Sequence, residues 1–289
     1  MESIFDYSGK NCVVTGSAAG VGRALCTRLM EMGANVYGLD INPTEGITKY
    51  IKVDLSKKAQ LDAAISELPE RIDALFSNAA TAGTTYIGYT FTVPEVFAVN
   101  FVACRYLVER LSERMPAGSA IAVTSSTTGL EWMTKLELLD DMYEHTGTHE
   151  GAMAWAQDHM YDKAVFNGTD DPDALYTFCK QSLIYYVKRS AFGLLKKGIR
   201  INVLCPGGID TQMTDEIARM VGTHEYDLVA TNPIIGRATS ADEQARLLLF
   251  MNSELSLCLD GADIISDYGW TPGVLFNQCT YDGRFVEEQ

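Results

Sequence analysis

Tyr176-Thr177-Phe178-Cys179-Lys180 sets a phenol and an ammonium four positions apart in a stretch of helical period. At 3.6 residues per turn the two side chains share one helix face, about 40° apart. A phenol with its ordinary pKa of about 10 moves protons poorly at neutral pH, and a neighbouring ammonium stabilises the phenolate and lowers that value. The pair is a candidate acid/base centre for an alcohol or carbonyl oxygen. Ser125-Ser126 closes a strand-like run at Ala120–Thr124, and the Ser126 hydroxyl can hydrogen-bond the same oxygen. Tyrosine and lysine at this spacing also occur as a core aromatic beside a solvated lysine, so the reading rests on what precedes them in the chain.

What precedes them is a glycine-rich turn, Thr15-Gly16-Ser17-Ala18-Ala19-Gly20-Val21-Gly22, between a short apolar run and a helical stretch. Glycines there let backbone N–H groups and a helix N-terminus approach a pyrophosphate. Asp40 ends the next strand-like run, 18 residues after Gly22. A carboxylate at that place accepts hydrogen bonds from adenosine ribose hydroxyls and repels a 2′-phosphate. Neither Ala19 nor Ile41 offers a compensating cation, so NAD(H) is expected rather than NADP(H). The expected cofactor contacts are Gly16, Ala19, Gly20, Val21, Gly22 and Asp40, with Tyr176 and Lys180 at the nicotinamide end. Asp54 with Leu55, and Asn78 with Ala79, end two further strand-like runs, where doubly wound sheets bind ligands. Both also fit ordinary turn chemistry.

The elements that must position these residues alternate. Strand-like runs at Asn11–Thr15, Asn35–Asp40 and Ile72–Ser77 are separated by helical stretches at Val21–Met32 and Lys57–Leu68. Further strands are expected at Ala120–Thr124, Arg200–Leu204 and Ala262–Ser266, with helices at Pro94–Met115, Asp173–Lys196 and Ala241–Met251. Continuous Val/Ile/Leu runs suit strands buried on both faces, so the expected fold is α/β, one domain built on a doubly wound parallel sheet. The 289 residues can bury one substantial core, and a net charge of −15 disfavours nucleic acid and anionic membrane partners. Seven cysteines without paired spacing read as reduced thiols, and Met1–Lys10 has no apolar leader, which together point to the cytoplasm.

As a set, these motifs resemble the short-chain dehydrogenase/reductase family of the classical type, from about Gly9 to Gly269. The matching elements are the Thr15–Gly22 loop, Asp40, Asp54, Asn78-Ala79-Ala80, Asn100 in Ala98-Val99-Asn100, Ser126, Tyr176, Lys180 and Pro206-Gly207-Gly208-Ile209-Asp210-Thr211. The resemblance implies a Rossmann-type sheet and hydride transfer between a nicotinamide and a carbinol or carbonyl carbon. It adds Asn100 to the catalytic set of Ser126, Tyr176 and Lys180, in a proton relay reaching Lys180 through water. It adds Pro206, Gly207, Ile209 and Thr211 to the cofactor contacts. The chain departs from the family at Ala80, where glycine is usual, and at Asp267-Tyr268-Gly269-Trp270, where the usual finish is Asp-Gly-Gly. Ser126 and Tyr176 also lie 50 positions apart, far more than the family's usual spacing.

The excess is a segment at 130–175 with helical spacing at Leu136, Leu139, Met142 and Tyr143, a break at Gly147 and a second helix near Ala152–Ala164. It carries eleven acidic against two basic side chains, nine of the fifteen net negative charges. Two readings are open for it, a solvated excursion serving packing or assembly and a wall of the active site. Such an insertion resembles the divergent branch with bacterial hydroxysteroid and coniferyl-alcohol-type dehydrogenases. The implied substrate is a small hydrophobic alcohol or ketone, first a steroid at carbon 3 or 20, with aromatic or other bulky alcohols as the alternative. A non-catalytic dinucleotide sensor would lose the serine, tyrosine or lysine, and all three are present. Residues 212–236, rich in Met, Ile and Tyr, are the expected substrate loop, 271–289 form a tail, and a homodimer or homotetramer is expected. His145, His149 and His159 read as surface histidines, without a metal, and the stripe Leu183, Tyr185, Tyr186, Val187, Leu194 as core or subunit interface.

Overall fold

The structure, a computed structural model, describes residues 5–86, 88–160, 172–221 and 235–279. In chain order its first half runs β1 (Asn11–Thr15), α1 (Gly20–Glu31), β2 (Asn35–Asp40), β3 (Lys49–Lys52), α2 (Lys58–Glu67) and β4 (Ala74–Ser77). A hairpin of β5 (Thr85–Tyr86) and β6 (Tyr89–Thr90) follows. Next come α3 (Val93–Phe97), a π-helical turn (Ala98–Val102), α4 (Ala103–Leu111) and β7 (Ala120–Thr124). The second half has α5 (Leu136–His145), α6 (His149–His159), α7 (Pro172–Leu195), β8 (Arg200–Pro206), β9 (Ile209–Asp210) and α8 (Gln212–Val221). It ends with β10 (Thr239–Ser240), α9 (Ala241–Asn252), β11 (Asp263–Ser266) and α10 (Trp270–Leu275).

Seven strands form one parallel sheet in the order β11-β8-β7-β4-β1-β2-β3. The order reverses between β1 and β4, which leaves a crevice outside their C-terminal ends. Alternation along β1 divides the core between the two faces. Val13 joins an apolar cluster under α2, α4 and α7, while Cys12 and Val14 join one under α1 and α9. β4 and β8 are buried along their whole length, and the two polar side chains of β8, Arg200 and Asn202, are satisfied by carbonyls of the 251–259 segment.

Two expectations shift. The helix expected at Pro94–Met115 is interrupted by the π-helical turn and ends at Leu111, with a short 3₁₀ turn at Ser112–Arg114. β3 precedes Asp54 and forms one sheet edge, paired with β2 in register Asp40↔Lys52. The described part of the insertion serves packing and is not merely solvated: Leu139, Met142, Ala152, Trp155, Ala156 and Met160 are buried in the larger core cluster. Leu136 is exposed. Arg105 of α4 pins α5, its guanidinium donating to the Tyr143 carbonyl and Thr146 Oγ1 at 2.7 Å each and lying 4.4 Å from the Tyr143 ring centre. The end of the expected second helix, beyond Met160, lies outside the described residues. Among the described residues no helix is long and apolar enough to cross a membrane.

Candidate active site

A cleft of about 910 Å³ opens along the C-terminal ends of the central strands. Its floor begins with the β1–α1 turn. Gly16 adopts φ +70°, and a Cβ there would stand 2.9 Å from the Ala79 Cα. A Cβ on Gly22 would collide with the Gly16 carbonyl oxygen, so both glycines are required for the turn to close. Ala19 caps α1 in extended conformation without a side-chain hydrogen bond, which leaves the first N–H groups of the helix to an outside acceptor. The Asp40 carboxylate is oriented by the loops around it, accepting from Ala18 N at 2.9 Å and Asn42 N at 2.8 Å. Its remaining lone pairs keep acceptor capacity toward a ribose.

Thr15 Oγ1 accepts from the N–H groups of Asn78 and Ala79, 3.0 Å each, and so ties the ends of β1 and β4 together. Asp54 Oδ1 receives Ser56 N and Oγ at 2.9 and 2.7 Å, an Asx-type turn that still leaves Asp54 on the cleft wall. Gly16, Ala19, Gly20, Val21, Asp40, Asp54, Leu55, Asn78, Ala79, Pro206, Gly207, Ile209 and Thr211 all line the cleft. Gly22 lies beneath it, acting through the turn.

Ser126, Tyr176 and Lys180 line the same cleft. Ser125 Oγ donates to the Lys180 carbonyl at 2.8 Å, and Gly129 packs so closely on α7 that a Cβ would come within 2.8 Å of the Lys180 backbone. These two contacts hold the serine segment against the tyrosine helix despite the 50-residue separation. Ser126 Oγ accepts from Thr128 N at 3.3 Å, which leaves its O–H to donate elsewhere. Lys180 Nζ lies 5.1 Å from the Tyr176 ring centre and donates to the Thr124 carbonyl at 3.3 Å. The lysine is 2% exposed, and burial lowers its pKa to about 8.

Asn100 sits behind the cleft, with its side chain hydrogen-bonded to Cys179, the residue before Lys180. The asparagine is 1% exposed in the π-helical turn and does not line the cleft. Its side-chain amide closes on the Thr81 backbone, accepting from Thr81 N at 2.7 Å and donating to Thr81 O at 3.0 Å. That clamp fixes the loop after Asn78-Ala79-Ala80.

Of the described residues of the 130–175 segment, only Leu130 and Glu131 line the cleft, so α5 and α6 do not wall it. From the 212–236 segment, Gln212, Met213 and Thr214 do. Tyr226, Leu228 and the rest of 222–234 lie outside the described residues. Sequence reasoning missed three contributors: Tyr89 and Phe91 beside the hairpin, Arg237, and α10 with Trp270, Thr271, Val274 and Leu275. The hairpin strands have two residues each, too short for a periodic signal. His149 corrects the surface reading, being buried beside the Tyr106 ring with a lowered pKa caused first by burial. No metal-binding cluster occurs among the described residues.

Residues 10–136 match the short chain dehydrogenase family model, and residues 162–271 match the model described as enoyl-(acyl carrier protein) reductase. The unmatched stretch between them spans nearly all of α5 and all of α6. Coniferyl-alcohol dehydrogenase of Pseudomonas sp. HR199 is 31% identical over 265 residues, covering 91% of this chain and 96% of that one. The 3-alpha-hydroxysteroid dehydrogenase of Pseudomonas sp. B-0831, complexed with NADH, superposes with TM-score 0.74 at 22% identity, over 92% of this chain and 98% of that one. A Burkholderia cenocepacia short chain dehydrogenase in complex with NADP gives TM-score 0.66 at 20% identity, over 90% and 97%. With its seven-stranded parallel sheet, glycine turn and Ser126, Tyr176 and Lys180 on one cleft, the chain belongs to the short-chain dehydrogenase/reductase family of NAD(P)-dependent oxidoreductases acting on CH–OH groups.

Proposed function

We propose that the protein interconverts a secondary alcohol and a ketone on a bulky, ring-bearing hydrophobic molecule, using NAD(H). The observation that carries this is the half-buried Tyr176 with the buried Lys180 ammonium over its ring, in a cleft that Phe91, Val99, Leu130, Met213, Trp270 and Val274 also line. When bound, the nicotinamide dinucleotide supplies or accepts the hydride. The uncapped start of α1 and the Gly16–Gly22 turn fit its pyrophosphate, and Asp40 its adenosine ribose.

In the oxidising direction Ser126 donates to the substrate oxygen and holds the carbinol carbon in place. Tyr176, as phenolate, takes the hydroxyl proton while the carbon gives up its hydride. In reduction the tyrosine hydroxyl returns that proton to the oxygen. The Lys180 ammonium favours the phenolate by charge, so one side chain serves both directions. Asp40, with no cation replacing its charge on the Ala19 or Ile41 side, favours NAD(H) over NADP(H).

The first substrate class is a hydroxysteroid, with carbon 3 or carbon 20 reacting. A second reading, an aromatic alcohol of the coniferyl type, is favoured by the 31% identical relative that this chain matches over 96% of its length. A panel of 3- and 20-hydroxy- and ketosteroids, coniferyl alcohol and small ketones, followed at the NADH absorbance, separates them. Turnover of steroids supports the first reading. Turnover of coniferyl alcohol with none of any steroid overturns it, and turnover confined to small ketones overturns both. Assembly as a homodimer or homotetramer belongs to the same reading, checked by light scattering.

A further inference from the structure

We infer that Tyr89 is a cofactor-retaining residue, acting through a hydrogen bond that joins the two sides of the cleft at its adenosine end. Tyr89 Oη donates to Asn42 Oδ1 at 3.1 Å, and both residues line the cleft and are half-buried. They come from separate elements: Asn42 from the loop after β2, Tyr89 from β6 of the hairpin between β4 and α3. Asn42 is itself fixed at the ribose end, since its N–H donates to Asp40 Oδ1. The bond therefore runs from the hairpin to the carboxylate expected to hold the adenosine.

The hairpin is anchored at both ends. Before it, the Asn100 amide clamps Thr81, and Thr81 Oγ1 donates to the Gly83 carbonyl at 2.9 Å. After it, Thr92 and Glu95 form a reciprocal capping box at the start of α3, and Lys57 of the β3–α2 connection ion-pairs with Glu95. Between the anchors the strands contribute one short antiparallel ladder, Thr85↔Thr90 and Tyr86↔Tyr89, prolonged by Phe91 N to the Thr84 carbonyl at 2.7 Å. Held by these contacts, Tyr89 fixes Asn42 and with it the loop that orients the Asp40 carboxylate. A loop pre-ordered in this way holds a dinucleotide longer, so the bond appears chiefly in the off-rate.

The inference rests on the dinucleotide reading of the cleft. The test is NADH binding by fluorescence titration and stopped-flow displacement with wild type, Tyr89→Phe, Asn42→Ala and the double variant. Tyr89→Phe keeps the ring and removes only the hydroxyl. It is expected to raise the NADH Kd about fivefold, mostly as a faster off-rate. The double variant should then be no weaker than Asn42→Ala alone, because the same bond is already lost. A Tyr89→Phe Kd within twofold of wild type, or single effects that simply add, overturns the latch while leaving the cofactor site intact. Failure of the wild type to bind NADH at all overturns the site reading and the latch with it.

Discussion

Lys180 Nζ hangs 5.1 Å from the centre of the Tyr176 ring and is anchored at 3.3 Å to the Thr124 carbonyl, at the end of β7. The strand that carries Ser126 just beyond its end therefore also fixes the cation that lies over the tyrosine ring. One helix spacing and one strand end suffice to place three chemical groups, whatever length of chain runs between them.

Replacing Tyr176 by Phe removes the proton-transferring oxygen and little else. Turnover is expected to fall by about 10²–10⁴-fold or more, the usual contribution of a positioned acid/base. NADH should still bind. Steady-state rates beside a fluorescence titration check both, and a Phe variant with near wild-type turnover would remove Tyr176 from the mechanism.

Lys180 trades stability for function. Its pKa falls from 10.5 to about 8 on folding because burial penalises the charged form. Between those values the unfolded chain binds more protons than the native one, so stability from this group rises with pH from about 8 to 10.5; below 8 the penalty is complete. At about 1.4 kcal/mol per unit it amounts to roughly 3 kcal/mol, less about 1 kcal/mol for the hydrogen bond to Thr124. Lys180→Met should accordingly be inactive yet more stable at pH 7 by about 2 kcal/mol, with the advantage fading as pH climbs through the window. Denaturant melts at pH 7, 9 and 10.5 test this. A variant less stable at pH 7 contradicts it.

Asp40 holds the glycine turn through Ala18 N and the following loop through Asn42 N. Asp40→Ala removes the charge that would repel a 2′-phosphate and also loosens both loops. Affinity for NADH is expected to drop, while the preference for NADH over NADPH in kcat/KM shrinks by at least about tenfold. Wild-type preference for NADPH would refute the assignment of Asp40.

Much of this was legible in the sequence because local chemistry dictated it. Gly16 and Gly22 tolerate no side chain, β1 and β4 carry short apolar runs, and Tyr176 and Lys180 need only a helix to meet. What escaped had no local period. The π-helical turn at Ala98–Val102 depends on tertiary packing, and the Tyr89–Asn42 bond joins residues 47 apart through a hairpin of two-residue strands. His149 escaped because its neighbours in sequence are polar, while its ring is buried by contact with Tyr106 of α4. The insertion's charge hid its role: the acidic residues described in α5 and α6 are exposed, and the inner positions complete the core.

That role is open to test at Trp155, which is 4% exposed. Its ring stacks on His159 at 4.5 Å and on Phe178 at 6.0 Å, and its Nε1 donates to Asp141 Oδ2 at 2.7 Å, joining α6 to both α5 and α7. Phe178 lies two residues from Tyr176, so the stack also braces the helix that carries the proposed acid/base. Trp155→Ala should cost about 3–5 kcal/mol, the range for deleting a large buried aromatic. Trp155→Phe keeps most of the stacking and should cost nearer 1 kcal/mol for the lost hydrogen bond. Urea denaturation of the two variants separates a core element from a peripheral one, because an insertion lying outside the core would leave both within about 0.5 kcal/mol of wild type.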